Sequence, residues 1–171
     1  GEIHHYKYII AFIDNLSRYI IHVGLLADHS ARQSAIHLEM LIEKVRQGGG
    51  KIGRLHTDNG TEFQSDFKQL LINYGIRDTR STPYVPQENG KIERFWGTLS
   101  GRMGRNSIWT QKSIDDKVLG YNFSPHSSLQ PYSTKKLVTP VEVYRTYPKW
   151  NEELHAQKHD DLVARNDLVR K

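Results

Sequence analysis

A single α/β domain, with a mixed sheet and helices packed on its faces, is the fold class this sequence predicts. Three observations predict it: aromatic and β-branched runs of strand length, apolar residues recurring at helical spacing, and an order that interleaves the two. Tyr6 to Phe12 and Tyr19 to Leu26 are such runs, split by Asp14-Asn15-Leu16-Ser17, and they predict an antiparallel hairpin. After Ser30, a candidate N-cap, the residues Ala35, Leu38, Leu41, Ile42 and Val45 recur at helical spacing until Gly48-Gly49-Gly50 stops them. Lys51 to His56 predicts a short strand, Asp66 to Tyr74 a helix closed by Gly75, and Ile76 to Ser81 another short strand. The resulting β-β-α-β-α-β order requires a mixed sheet.

The loop Thr82 to Gly90, TPYVPQENG, delivers the chain into a further helix. On that helix Ile92, Phe95, Trp96, Leu99 and Met103 form an apolar stripe, while Lys91, Arg94, Thr98, Arg102 and Arg105 lie along another face. Ile114 to Phe123 predicts a helix, and TPVEVYRTY a short one begun after Pro140. Residues 1–150 are expected to form the domain, with 151–171 a charged extension, helix or tail.

At 171 residues the chain suits one domain with a real core. No apolar run approaches the roughly 18 residues of a membrane span, so no membrane partner is expected. Lys and Arg outnumber Asp and Glu by 24 to 19, which favours a polyanionic partner. The absence of cysteine excludes disulfides and thiolate metal sites. His155 and His159 stand one helical turn apart without a third clustered ligand and read as a solvated pair. Gly1 at the start suggests a piece of a longer protein.

Two acids stand out. In LHTDNGTEF, Asp58 directly follows a strand, and Asn59-Gly60 turns the chain off the sheet edge, where ligands of open α/β sheets bind. Glu93 lies in the first turn of the helix after TPYVPQENG. Converging carboxylates suit Mg²⁺ or Mn²⁺, and such ions serve in-line phosphoryl transfer. Each acid also suits a plainer role, Asp58 as a turn aspartate and Glu93 as a dipole-favoured helix-start residue.

FIDNLSRYI, LHTDNGTEF, TPYVPQENGKIERFW, YNFSPHSSLQ and TPVEVY, in that order, resemble the integrase core of retroviruses and LTR retrotransposons, to about Tyr147. The resemblance implies an RNase H-like fold with a five-stranded mixed sheet and helices on both sides. It implies that Asp58 and Glu93 are the second and third acids of the family's D, D-35-E triad, ligating Mg²⁺ or Mn²⁺. Thirty-four residues separate them, one fewer than the family's usual count. The first acid falls at or before Gly1, so the first strand is expected to be missing or incomplete, and the chain weak or dead in catalysis by itself. Asp14 matches the aspartate of the family's D-x-x-S-R turn, a structural position.

The activity implied is 3′-end processing of DNA and strand transfer, with DNA ends and target DNA as partners. A homodimer or higher oligomer and a nuclear or retroelement-particle location are also implied. Asn59, Tyr84, Gln87, Asn89, Lys91, Arg94, Arg102 and Arg105 are the expected nucleic-acid contacts, the basic ones beginning beside Glu93. Arg18 is expected to pair within the fold, and Asn122 and His126 to be structural. A catalytically inactive, domesticated domain that binds nucleic acid or protein is the alternative reading, and a purely hydrolytic RNase H-type nuclease a third.

Overall fold

A computed structural model describes residues 8–81, 90–102, 109–132 and 137–146, with the side chains of Arg102 and residues 130–132 outside that description. The chain opens on β1 (Tyr8–Ile13) and β2 (Ile20–Leu26), an antiparallel hairpin pairing Tyr8 with Leu26 and Phe12 with His22. Its turn is built by Asp14, whose carboxylate accepts from the Ser17 amide at 2.8 Å and the Ser17 hydroxyl at 2.7 Å. Arg18 closes the turn at φ 64 and donates to the Asn15 and Leu16 carbonyls, the internal pairing expected of it.

Helix α1 (Ala31–Gln47) starts where the Ser30 side chain accepts from the Gln33 amide, and it stops at the glycine run. β3 (Arg54–Thr57) and β4 (Arg77–Arg80) pair in parallel around α2 (Ser65–Asn73), a crossover that begins with a 3-10 turn at Thr61–Phe63. Gly75, at φ +65, turns the chain from α2 toward β4. α3 (Gly90–Arg102), α4 (Gln111–Asn122), a 3-10 turn at Ser127–Tyr132 and α5 (Pro140–Thr146) complete the described order. No helix among the described residues is long and apolar enough to cross a membrane. Residues 151–171 lie outside the described residues.

The hairpin is buried on both faces, as its unbroken apolar character requires. Ile10, Phe12 and Leu26 meet Leu38, Leu41 and Ile42 of α1, Phe67 and Leu71 of α2, and Ile76. On the other face Ile20, Val23 and Leu25 meet Phe95 and Leu99 of α3 and Ile114, Val118 and Tyr121 of α4. Asn122, 3 % exposed, extends this side into hydrogen bonding: its amide accepts from Ile20 N at 2.9 Å and donates to Ile20 O at 3.0 Å, replacing a strand partner. That is the structural role expected of Asn122.

A polar chain crosses between β2 and α1. Lys44 Nζ lies 3.2 Å from His22 Nδ1, and His22 Nε2 lies 3.0 Å from His37 Nδ1. Because an ammonium only donates, His22 must accept at Nδ1 and donate from Nε2, which fixes neutral tautomers along the chain. Burial, then the Lys44 charge and His37, push the His22 pKa down to about 4. Burial also lowers His37, opposed by a hydrogen bond to the Leu25 backbone. Gly24 makes room for this pair, since a Cβ there would lie 2.0 Å from His37 Cε1.

The five-stranded mixed sheet, expected with its first strand missing or incomplete, is met in part, by four strands among the described residues. The described residues form two separate two-stranded sheets, β1-β2 and β3-β4. The reason is that β1 and β3 share no ladder, although Ile10, Phe12 and Leu55 pack into one core around α1. The short strands are also tighter than their apolar patterns suggested: Ile52 and Ile76 serve that core from outside the four-residue ladder.

Candidate active site

Asp58 leaves the carboxyl end of β3, exposed, with its Oδ1 accepting from the Gly60 amide at 2.8 Å. This is an Asx-type turn, and it sets the side chain at the strand terminus. Three neighbours hold the loop. Asn59 Nδ2 donates to the Ser81 carbonyl at 3.1 Å, tying the end of β3 to the end of β4. Arg80 donates to the Asp58 carbonyl at 3.2 Å and the Phe63 carbonyl at 2.6 Å, and is itself held by Asp78 at 2.9 Å. Glu62 folds back beneath Gly60 and pairs with His29 at 3.0 Å; a Cβ at Gly60 would lie 2.2 Å from the Glu62 carboxylate, so a larger residue there would push that side chain aside. Arg80 and Glu62 were not singled out from the sequence, because the contacts that matter run to backbone and loop atoms far along the chain.

Glu93 sits exposed in the first turn of α3. Neither it nor Asp58 has a cationic partner among the described residues. No group of three or more acids and histidines with metal-binding geometry occurs among those residues. The donor chemistry, two solvent-facing carboxylates at segment ends, nonetheless fits a hard divalent cation.

The expected basic stripe divides. Arg94 is exposed beside Glu93, and its charge, with that of Arg18, opposes the rise that burial imposes on the Tyr121 hydroxyl. Lys91 instead points back to the hairpin turn. Its Nζ lies 3.1 Å from the Asn15 carbonyl and also meets the Asn15 side chain. Burial and the Arg18 charge lower its pKa to about 8 against the opposing pull of Asp14. Lys91 is thus half-buried and locks α3 onto the hairpin. Arg102 belongs to α3, with its side chain outside the described residues, and Tyr84, Gln87, Asn89 and Arg105 lie outside them altogether.

The family model described as integrase core domain matches residues 2–86, which include the hairpin, α1, β3, Asp58 and β4. The chain belongs to the integrase core family. A retrovirus-related Pol polyprotein from transposon TNT 1-94 of Nicotiana tabacum is 35 % identical over 94 residues, 54 % of this chain and 7 % of that polyprotein. The Pol polyprotein from transposon RE2 of Arabidopsis thaliana is 33 % identical over 140 residues, 82 % of this chain and 9 % of that polyprotein. The chain therefore spans under a tenth of the length of these curated relatives. The crystal structure of the catalytic core domain of BIV integrase superposes with a TM-score of 0.63 at 21 % identity, covering 84 % of this chain and 90 % of that one. This likeness establishes the fold. In this integrase core Asp58 directly follows β3 and Glu93 lies in the first turn of α3, the element positions expected of them.

Proposed function

We infer that this chain is the greater part of a polynucleotidyl-transferase core that trims the 3′ ends of a retroelement's DNA and joins them to target DNA. The observation that carries the reading is the pair Asp58 and Glu93, two exposed acids without cationic partners, at the end of β3 and the start of α3. They would hold Mg²⁺ or Mn²⁺, which when bound supplies charge neutralisation at phosphorus and lowers the pKa of the attacking oxygen. The chain's own residues position that chemistry. Arg80 and Asn59 fix the Asp58 loop on β4, and Lys91 fixes the first turn of α3 on the hairpin, so both carboxylates are set on rigid elements.

A fifth strand running between β1 and β3 would unite the two sheets and bring the first acid. Arg94 beside Glu93 would take a DNA phosphate, and Arg102, Arg105, Tyr84, Gln87 and Asn89 belong to the same interface; Asn59, with one N–H given to the Ser81 carbonyl, keeps its amide oxygen and its second N–H for DNA. Assembly as a dimer or higher oligomer on the element ends, in a nucleus or a retroelement particle, completes the reading.

The second reading is an inactive domain kept for binding, to which loss of the first acid in the parent protein would point. A joining assay on the complete parent protein, run beside a cleavage assay, separates them. Loss of joining by at least ~100-fold in Asp58→Asn, with folding intact, supports transferase function. Unchanged joining in that variant refutes it, absence of joining in the parent supports the binding module, and cleavage without joining indicates a hydrolase.

A further inference from the structure

At the opposite end of β3 from Asp58 lies a cleft that the strand-transfer reading does not use. It is lined by Ile42 and Arg46 of α1, Lys51 and Ile52 of the following loop, Tyr74 at the end of α2 and Ile76, and holds about 230 Å³. Its floor is apolar: Ile42 and Ile76 are buried, Ile52 half-buried, and Tyr74 stands exposed at the mouth. Its rim is basic. Arg46 and Lys51 line it, and Arg54 and Arg77, Cα partners in the β3-β4 ladder, begin immediately beyond. All four cations are exposed, and none is in an ion pair found among the described residues.

Like charges placed directly across a ladder repel, so the Arg54-Arg77 pair leaves a positive field that a counter-anion would relieve. Of the nearby acids, Asp78 is paired with Arg80, and Glu43, which accepts from Gln47 at 3.0 Å, forms no ion pair with these cations among the described residues. The volume is below the roughly 300 Å³ at which small-molecule sites begin, and suits one large side chain. Cations ringing an apolar floor match a peptide that seats one apolar anchor and steers by its acidic flanks. A phosphate backbone, by contrast, would leave the isoleucine floor uncovered.

We propose that the Arg46-Lys51-Tyr74 cleft is a docking site for an acidic peptide segment carrying a single large apolar anchor residue. The proposal is independent of the reading of Asp58 and Glu93, since the four residues of β3, at about 3.3 Å each, lie between the two sites. Both sites could be occupied at once.

The test uses the full 171-residue chain and a fluorescein-labelled decapeptide of Asp and Glu with one central Phe, followed by anisotropy, with amide shifts read by NMR. Saturable binding is expected, with shifts centred on Gly50, Ile52 and Tyr74. Replacing the peptide's Phe by Ala should weaken it at least about tenfold, as should the pair Arg46→Glu and Lys51→Glu. Arg46→Gln with Lys51→Gln, gentler on the helix end, should weaken it about threefold or more at an unchanged thermal midpoint. Equal binding of the Ala peptide, shifts centred elsewhere, no saturable binding, or displacement of the peptide by a tighter-binding oligothymidylate of equal charge would each overturn the proposal.

Discussion

The hairpin β1-β2 and the ribbon β3-β4 are both two-stranded, yet they are built to opposite specifications. The hairpin runs six and seven residues, is sandwiched between α1 on one face and α3-α4 on the other, and has Asn122 standing in as a partner for Ile20. The ribbon runs four residues a side, reads Arg-Leu-His-Thr against Arg-Asp-Thr-Arg, and gives the core little beyond Leu55. The candidate acids follow that division. Asp58 emerges from the polar ribbon, and Glu93 from a helix clamped on the apolar hairpin. Burial is concentrated around the hairpin, and one candidate acid stands at the margin of each region, Asp58 beyond the ribbon and Glu93 at the start of a helix packed on the hairpin.

The comparison breaks first where the hairpin is most buried. Phe95→Ala, at a side chain 1 % exposed, should cost about 3–5 kcal/mol in urea unfolding, and a cost near 1 would mean the α3 side of the sandwich is not the main support. Next comes acid. The depressed His22 pKa means the unfolded chain takes that proton first, so its contribution is fully present above about pH 6.5. It is then lost as pH falls toward about 4, and levels off below. The span amounts to at most about 3 kcal/mol, and His22→Gln should flatten stability-versus-pH through that window.

Asn122→Ala strands the Ile20 amide and carbonyl and should cost about 2–3 kcal/mol, whereas the same truncation of Asn59, exposed on the ribbon, should cost under about 1. Smallest of all, Asp58→Asn should change stability by no more than about 0.5 kcal/mol, because the carboxylate is exposed and its bond to Gly60 survives in the amide. A thermal shift of many degrees in that variant would make Asp58 a structural residue.

What was legible in the sequence divides along the same line. Hairpin, α1 and α2 were readable because burial imposes periodicity and glycine punctuates it. The apolar pattern places the start of α4 three residues late, at Ile114, since Gln111, Lys112 and Ser113 are polar. They enter the helix through a Thr110-Ser113 capping box, and Gln111 reaches across to the Val23 carbonyl. Helical spacing puts Lys91 on a basic face without naming what covers it, and here the hairpin turn, 76 residues upstream, does. The split sheet was illegible for a related reason: strand patterns reveal which segments are extended and leave the ladders between them unspecified. Asp58 and Glu93 were found through the wording of their motifs; composition and spacing left each of them a plainer role.

The central claim, that these two acids serve one divalent cation, is tested most directly by titrating the chain with substoichiometric Mn²⁺ and following paramagnetic broadening of its amide resonances. The account predicts that Asp58, Asn59 and Glu93 broaden together, and that Glu93→Gln weakens the effect at Asp58 as well. Broadening at Asp58 that is indifferent to Glu93, or broadening centred away from both, would contradict it.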